Sequence, residues 1–135
     1  MGKLYLKDIL DRDISITVDF KNLTSETAVI SEIAMSGVSA NGCVLKLPAK
    51  SCSDGHQVLL RLLVNKEEEG PPKSKRIDII GKVMKLEPTA GTELEVTIQF
   101  NQFIKEEWKY ILDSLERKQE IITQVMDKLK TTDKL

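Results

Sequence analysis

Apolar and polar side chains alternate along most of the first hundred residues, a pattern that turns one face of a β-strand toward a core and the other toward solvent. The first run extends from Ile14 to Phe20, and the last, from Leu94 to Phe100, is the most regular. Turn residues separate the runs, and no helical period lies between them. We therefore predict a mainly β protein with six antiparallel strands in meander order, at residues 14–20, 26–35, 43–47, 56–64, 77–86 and 94–100. Six strands with little edge protection favour closure into a small barrel, and Gly81 favours a bend in the fifth strand.

The period changes at Asn101, after which apolar residues recur at alternating spacings of four and three. This heptad pattern predicts a helix over residues 103–130, and about twenty-five residues of such a helix already span nearly 40 Å at about 1.5 Å per residue. Lys118 is the one polar member of the pattern. The predicted units are an arm at 1–13, the barrel at 14–102, the helix at 103–130 and a tail at 131–135. The pattern, which we call the heptad seam, consists of Ile104, Trp108, Ile111, Leu115, Lys118, Ile122, Val125 and Leu129.

Two interpretations of the heptad seam stay open at this point. The helix could fold back along its whole length on its own domain, or its second half could project and pair with another copy of the chain. We favour self-association, because a helix of this length exceeds the width expected for so small a domain. The β-branched residues in one column of the seam favour two strands over more.

The charge balance argues against nucleic acid as a partner. The chain of 135 residues carries 20 Lys and Arg against 21 Asp and Glu, and aromatic residues are only 4% of it. Neither a basic surface for phosphates nor an aromatic platform for bases is expected, so we predict no DNA or RNA binding. No apolar run is long enough to span a membrane, and we predict no membrane insertion.

Two cysteines are too few for a disulfide-dependent secreted domain, which favours a cytoplasmic protein with reduced thiols. Cys43 falls on a strand and is expected in the core. Cys52 lies in a Ser-Cys-Ser turn and is expected to be exposed.

The residue pattern contains no catalytic constellation. His56 is the only histidine, and its expected place is a turn or the edge of a strand. Glu67, Glu68 and Glu69 lie in a charged loop without apolar neighbours that could raise a carboxyl pKa for general acid catalysis. Metal-ligand spacings and a Walker loop are also absent from the sequence. We expect neither an enzyme nor a bound metal or cofactor.

The segment from Gly37 to Gly42 is rich in small residues and leads directly into an alternating strand. Two glycines, with Ser39 and Asn41 between them, suit a backbone that adopts positive φ and presents its own N–H groups. Such a corner can hold a phosphate or a carbonyl. It can equally be an ordinary β-turn whose side chains satisfy its own backbone.

The sequence Gly37-Val38-Ser39-Ala40-Asn41-Gly42 resembles the (Asp/Asn)-x-Ser-x-x-Gly signature of the PilZ family. Gly81-Lys82-Val83 also resembles the family's Gly-x-Val strand, and the similarity extends over residues 3–115. The resemblance implies a six-stranded PilZ-like barrel with a C-terminal helix. It also implies a cyclic di-GMP receptor that controls motility, pili or exopolysaccharide, with a candidate nucleotide site at Lys3, Lys7, Gly37, Ser39, Asn41 and Gly42.

The chain departs from the family at the residues that grip the nucleotide. The family's Arg-x-x-x-Arg arm is matched by Lys3 and Lys7, and Gly37 replaces the Asp or Asn. An arginine fork makes two parallel hydrogen bonds and stacks on bases, whereas lysine offers a hydrated point charge. We therefore predict a non-catalytic adaptor that works through protein contacts, with weak or no nucleotide binding. A functional cyclic di-GMP receptor and an unrelated small-barrel scaffolding protein are the alternatives.

Overall fold

The computed structural model describes residues 4–5, 14–25, 28–66 and 73–133, with side chains at 15–25, 28–65 and 74–120. Within these residues, no helix combines the length and apolar character needed to cross a lipid bilayer. The elements are β1 (Leu4–Tyr5), β2 (Ile14–Asn22), β3 (Ile30–Ile33), β4 (Met35–Ser39), β5 (Gly42–Pro48), β6 (Gln57–Lys66), β7 (Lys73–Pro88), β8 (Glu93–Gln102) and α1 (Lys105–Asp133).

The strands form one antiparallel sheet in the order β1-β4-β5-β8-β7-β6-β2-β3. The mainly β class and the single C-terminal helix are confirmed, but the predicted meander order is wrong. Two neighbouring pairs join strands that are distant in sequence, since β5 pairs with β8 and β2 pairs with β6. The alternation of apolar and polar residues within a strand indicates which face of that strand is buried. It does not indicate which other strand lies beside it in the sheet.

The predicted strand at 26–35 is divided at Ala34, so the count of six is also wrong for the eight described strands. Glu32 adopts a left-handed φ of 57°, and its N–H donates to Asp19 Oδ1 at 3.3 Å. β3 pairs with β2 at one edge of the sheet, while β4 pairs with β5 near the other. Because Ala34 alone joins β3 to β4, the sheet must curl on itself, and the result is barrel-like.

A buried asparagine fixes the connection between β5 and β6. Asn22 is fully buried, and its Oδ1 accepts hydrogen bonds from the N–H groups of Thr24 and Ser25. Its Nδ2 donates to the Ser51 carbonyl at 3.2 Å and lies 2.9 Å from His56 Nδ1. These bonds hold the 51–56 segment against the sheet, with His56 immediately before β6 as expected.

The predicted exposure of Cys52 is wrong, because this held segment places the thiol in the core. Cys52 is 7% exposed and Cys43 is 3% exposed, the latter as predicted. Both are free thiols. Burial raises both pKa values, that of Cys52 to about 11.

The first half of α1 covers the core. Trp108, Ile111, Leu112 and Leu115 are all buried, with the three- and four-residue spacing of one helical face. Trp108 also packs edge-on against Phe100, with ring centroids 4.9 Å apart. The helix has 29 residues and starts at Lys105 rather than 103. At about 1.5 Å per residue it is roughly 43 Å long, so only part of it is needed to cover the sheet.

Candidate functional site

The motif segment is a tight hairpin. Ser39 pairs with Gly42 across a turn of two residues, Ala40 and Asn41. The predicted positive φ is wrong for this segment, since among the described glycines only Gly55 has one. Gly42 is required for a different reason, because a Cβ there would lie 2.5 Å from the Ile98 carbonyl oxygen of β8. Ser39 and Gly42 therefore belong to the paired strands, and only Ala40 and Asn41 form the turn between them.

Gly37 lies inside β4, paired with Val44 of β5. It is also paired with Tyr5 of β1. The position that is Asp or Asn in the PilZ signature is thus a buried strand position without a side chain. No polar group can reach a ligand from it.

The hairpin tip is held by β8 and by α1. The Phe100 N–H donates to the Asn41 carbonyl at 2.8 Å. Trp108 Nε1 donates to the Ser39 carbonyl at 2.9 Å. Since Phe100 and Trp108 also pack on each other, the tip, β8 and the helix form one continuous set of contacts. Sequence spacing did not indicate the hydrogen bond between Trp108 and Ser39, because these two residues are 69 positions apart.

Beside the hairpin lies a cavity of about 260 Å³, which we call the outer cavity. Three of its residues face outward from the adjacent strands β5 and β8. Val44 of β5 is paired with Thr97 of β8, and Gln99 of β8 is paired with Gly42 of β5. Met84 sits where the register between β7 and β8 shifts, and it is 46% exposed. The lining residues are Val38, Ser39, Asn41, Gly42, Cys43, Val44, Met84, Thr97, Ile98 and Gln99.

None of the described residues that line the outer cavity is charged. Two lysines of β7 are in register with residues of this cavity, since Lys82 pairs with Gln99 and Lys85 with Thr97. Lys85 is engaged with Glu87 at 2.9 Å, and the hydrogen bond and charge of that carboxylate raise its pKa. The cavity therefore presents hydroxyl, amide and thioether groups rather than a phosphate clamp.

The described arginines of β6 and β7 do not converge on Ser39. Arg61 and Arg76 border a separate hollow of about 310 Å³, together with Asp19 and Glu32. Arg61 Nε lies 3.7 Å from Asp78 Oδ1. β6 and β7 therefore bring no arginine to Ser39 that could take the part of the Arg-x-x-x-Arg arm of PilZ proteins.

Lys3 and Lys7, the predicted arm of the nucleotide site, lie outside the described residues. The two described residues between them pair with the motif strand, Leu4 with Val38 and Tyr5 with Gly37. Of the predicted site residues, the structure brings Ser39, Asn41 and Gly42 together at one cavity. Met84, Thr97 and Gln99 were missed, because only the pairing of β5 with β8 and of β8 with β7 places them there.

The heptad seam divides into two parts. Trp108, Ile111 and Leu115 are buried within the chain's own core, and Ile104 precedes the helix and is 58% exposed. The side chains of Ile122, Val125 and Leu129 lie outside the described part of the chain, while Lys118 is half-buried. Self-association through the second half stays a prediction.

A metal site does not emerge from the described residues, which contain no group of three His, Cys, Asp or Glu side chains placed to hold an ion. His56 has a structural environment instead, since its Nδ1 also accepts from the Ser53 N–H at 3.2 Å.

Comparisons with known proteins yield a fold similarity. No protein-family model and no curated protein sequence matches the chain. A solved structure described as the Bacillus subtilis inhibitor of motility MotI/DgrA is similar, with a TM-score of 0.58 and 19% sequence identity. The match covers 77% of this chain and 46% of that chain, so this chain spans about half the length of that protein. At this identity the similarity shows the fold alone.

Proposed function

We propose that this protein is a non-catalytic regulatory adaptor with a degenerate PilZ-type barrel, acting through protein contacts in a cyclic di-GMP-linked pathway. Such pathways control motility, pili or exopolysaccharide. The PilZ-like residues Ser39 and Gly42 support the family assignment, and the fold similarity to an inhibitor of motility supports a regulatory role. The cytoplasm is the compartment in which such a regulator would act.

One observation carries the proposal. The described residues that border the outer cavity beside Ser39 are all uncharged, and Gly37 has no side chain with which to contact a ligand. A bidentate arginine contact to guanine is worth about 1–3 kcal/mol. Losing two such contacts would weaken a dinucleotide complex by orders of magnitude. Protein contacts through the heptad seam in the second half of α1 are part of this proposal.

A functional cyclic di-GMP receptor is the second candidate, and the strand register favours it. β1 pairs with β4, the first strand of the motif hairpin, and Leu4 lies opposite Val38. Leu4, which directly follows Lys3 in the sequence, is therefore beside the hairpin. Lys82 and Lys85 are in register with residues of the outer cavity. If the protein is a receptor, Lys3, Lys82 and Lys85 would supply the positive charge that arginines supply in PilZ proteins.

Calorimetric titration with cyclic di-GMP at near-physiological salt separates the two candidates. The adaptor predicts no complex at micromolar concentrations, whereas the receptor predicts micromolar or tighter binding that Ser39→Ala removes. Ser53→Ala is the matched control, because Ser53 is an exposed serine outside the outer cavity.

A further inference from the structure

A second concave surface lies on the other side of the hairpin tip, between the tip and α1. This groove has a volume of about 420 Å³, within the range of roughly 300–1,000 Å³ typical of ligand pockets. Its floor is made by Trp108 and Leu112, and Ala40 and Asn41 form the wall on the hairpin side.

The helix side of the groove carries two exposed lysines one turn apart, Lys105 and Lys109. Residues four apart on a helix lie on the same face, so both ammonium groups border the same opening. Neither forms an ion pair with a residue in the described part of the chain, in contrast to Lys75, which contacts Glu107 of α1 at 3.1 Å. Asp113, one turn further, is the one carboxylate among the described residues that line the groove, so these residues make a net positive rim.

Lys105 is also the first residue of α1. Glu106 and Glu107 in the first turn of α1 already offset the positive potential of the helix start, and Glu107 also pairs with Lys75, so the two groove lysines alone favour an anion here. The apolar floor and the two lysines, which have no ion-pair partner in the described part of the chain, together favour one kind of occupant.

We propose that this groove binds a short segment of a partner protein in which an apolar side chain is flanked by acidic residues. The apolar side chain would fill the groove between the tip and the helix, and the carboxylates would lie beside Lys105 and Lys109. The proposal rests on the adaptor function and names the partner chemistry for it.

The test is selection from a phage-displayed library of short random peptides on the full-length chain. The expected result is enrichment of peptides with Asp or Glu around an aliphatic or aromatic residue. Their affinity falls about tenfold in a Lys105→Glu and Lys109→Glu double variant, since each exposed charge pair contributes up to about 1 kcal/mol. A Lys21→Glu and Lys46→Glu variant has the same net charge, with both exposed sites outside the groove, and should retain binding.

Three outcomes would overturn the groove as a partner site. The first is that the selection enriches no peptide, and the second is that enriched peptides bind the Lys105→Glu and Lys109→Glu double variant equally well. The third is that self-association of the full chain disappears in that double variant, which would make a second copy of the chain the occupant. None of them affects the adaptor function, whose own test is the nucleotide titration. Conversely, tight cyclic di-GMP binding together with a successful selection would retain the groove and contradict the adaptor.

Discussion

The indole Nε1 of Trp108 donates a hydrogen bond of 2.9 Å to the carbonyl of Ser39, which joins the C-terminal helix to the tip of the motif hairpin. Trp108 is only 1% exposed and packs edge-on against Phe100, whose own N–H holds Asn41. The residue that anchors α1 therefore also fixes the backbone of the candidate site. The position of the hairpin and the docking of the helix depend on each other.

Trp108→Phe should lower the free energy of unfolding by about 2–4 kcal/mol, because it removes the indole's hydrogen bond to the Ser39 carbonyl and opens a space in the core. Denaturant unfolding followed by circular dichroism measures the change. Ile104→Ala, at an exposed position before the same helix, should change stability by less than about 0.5 kcal/mol. Equal effects of the two substitutions would show that the indole does not anchor the helix.

Gly42→Ala should destabilise the protein by about 3 kcal/mol, because its Cβ would lie 2.5 Å from the backbone oxygen of Ile98. Urea unfolding monitored by Trp108 fluorescence gives the value. At Gly91 the nearest atom to an added Cβ is 4.0 Å away, so Gly91→Ala should be tolerated. A fully stable Gly42→Ala would mean that β5 and β8 do not approach as closely as described.

Much of the fold could be predicted from the sequence, because alternation and heptad spacing are local properties. They indicated the strands, the helix and the burial of Cys43. They could not indicate that β5 pairs with β8, because pairing depends on how the whole sheet curls. They also could not indicate the break at Ala34, which is accompanied by the unusual φ of Glu32.

The candidate site was predicted only where one continuous segment supplies it. Ser39, Asn41 and Gly42 are close in sequence and meet at the outer cavity as expected. Met84 and Gln99 reach the same cavity from β7 and β8, and a register shift in β7 decides the position of Met84. Cys52 is buried because Asn22 holds the neighbouring residue Ser51 against the sheet. Asn22 and Ser51 are 29 positions apart, so the local sequence around Cys52 does not indicate this contact.

The buried thiols predict a loss of stability at alkaline pH. Burial raises the pKa of Cys52 from its ordinary value of 9.0 to about 11. Between these pH values the folded protein keeps a proton that the unfolded chain has lost, so this contribution to stability decreases as pH rises from 9 to 11. The free energy of unfolding, measured by denaturant titration at several pH values from 9 to 11, should decrease less steeply in Cys52→Ala than in the unmodified chain.

Thiol labelling gives an independent check on the same groups. At pH 8 both cysteines of the folded chain should react far more slowly than those of the unfolded chain, because the thiolate is the reactive form. Rapid labelling of Cys52 in the folded state would contradict its placement in the core.

The second half of α1 should associate with a second copy of the chain. Sedimentation of the full chain is expected to give a dimer, and a chain ended after Glu120 is expected to be a monomer. The cut retains Trp108, Ile111 and Leu115, which are buried in the chain's own core. Leu129→Lys should dissociate the full-length dimer, because it places a charge in the heptad seam, and Gln124→Lys, outside the seam, should not. Equal masses of the full and shortened chains would remove the predicted dimer.

Calorimetric titration with cyclic di-GMP at near-physiological salt is the most direct test of the adaptor function. The uncharged described lining of the outer cavity and the lysines at positions where PilZ proteins have arginines predict no complex at micromolar nucleotide. Micromolar or tighter binding that is abolished by Ser39→Ala or Lys7→Ala, and retained by Ser53→Ala, would show that the protein is a receptor and would contradict the account.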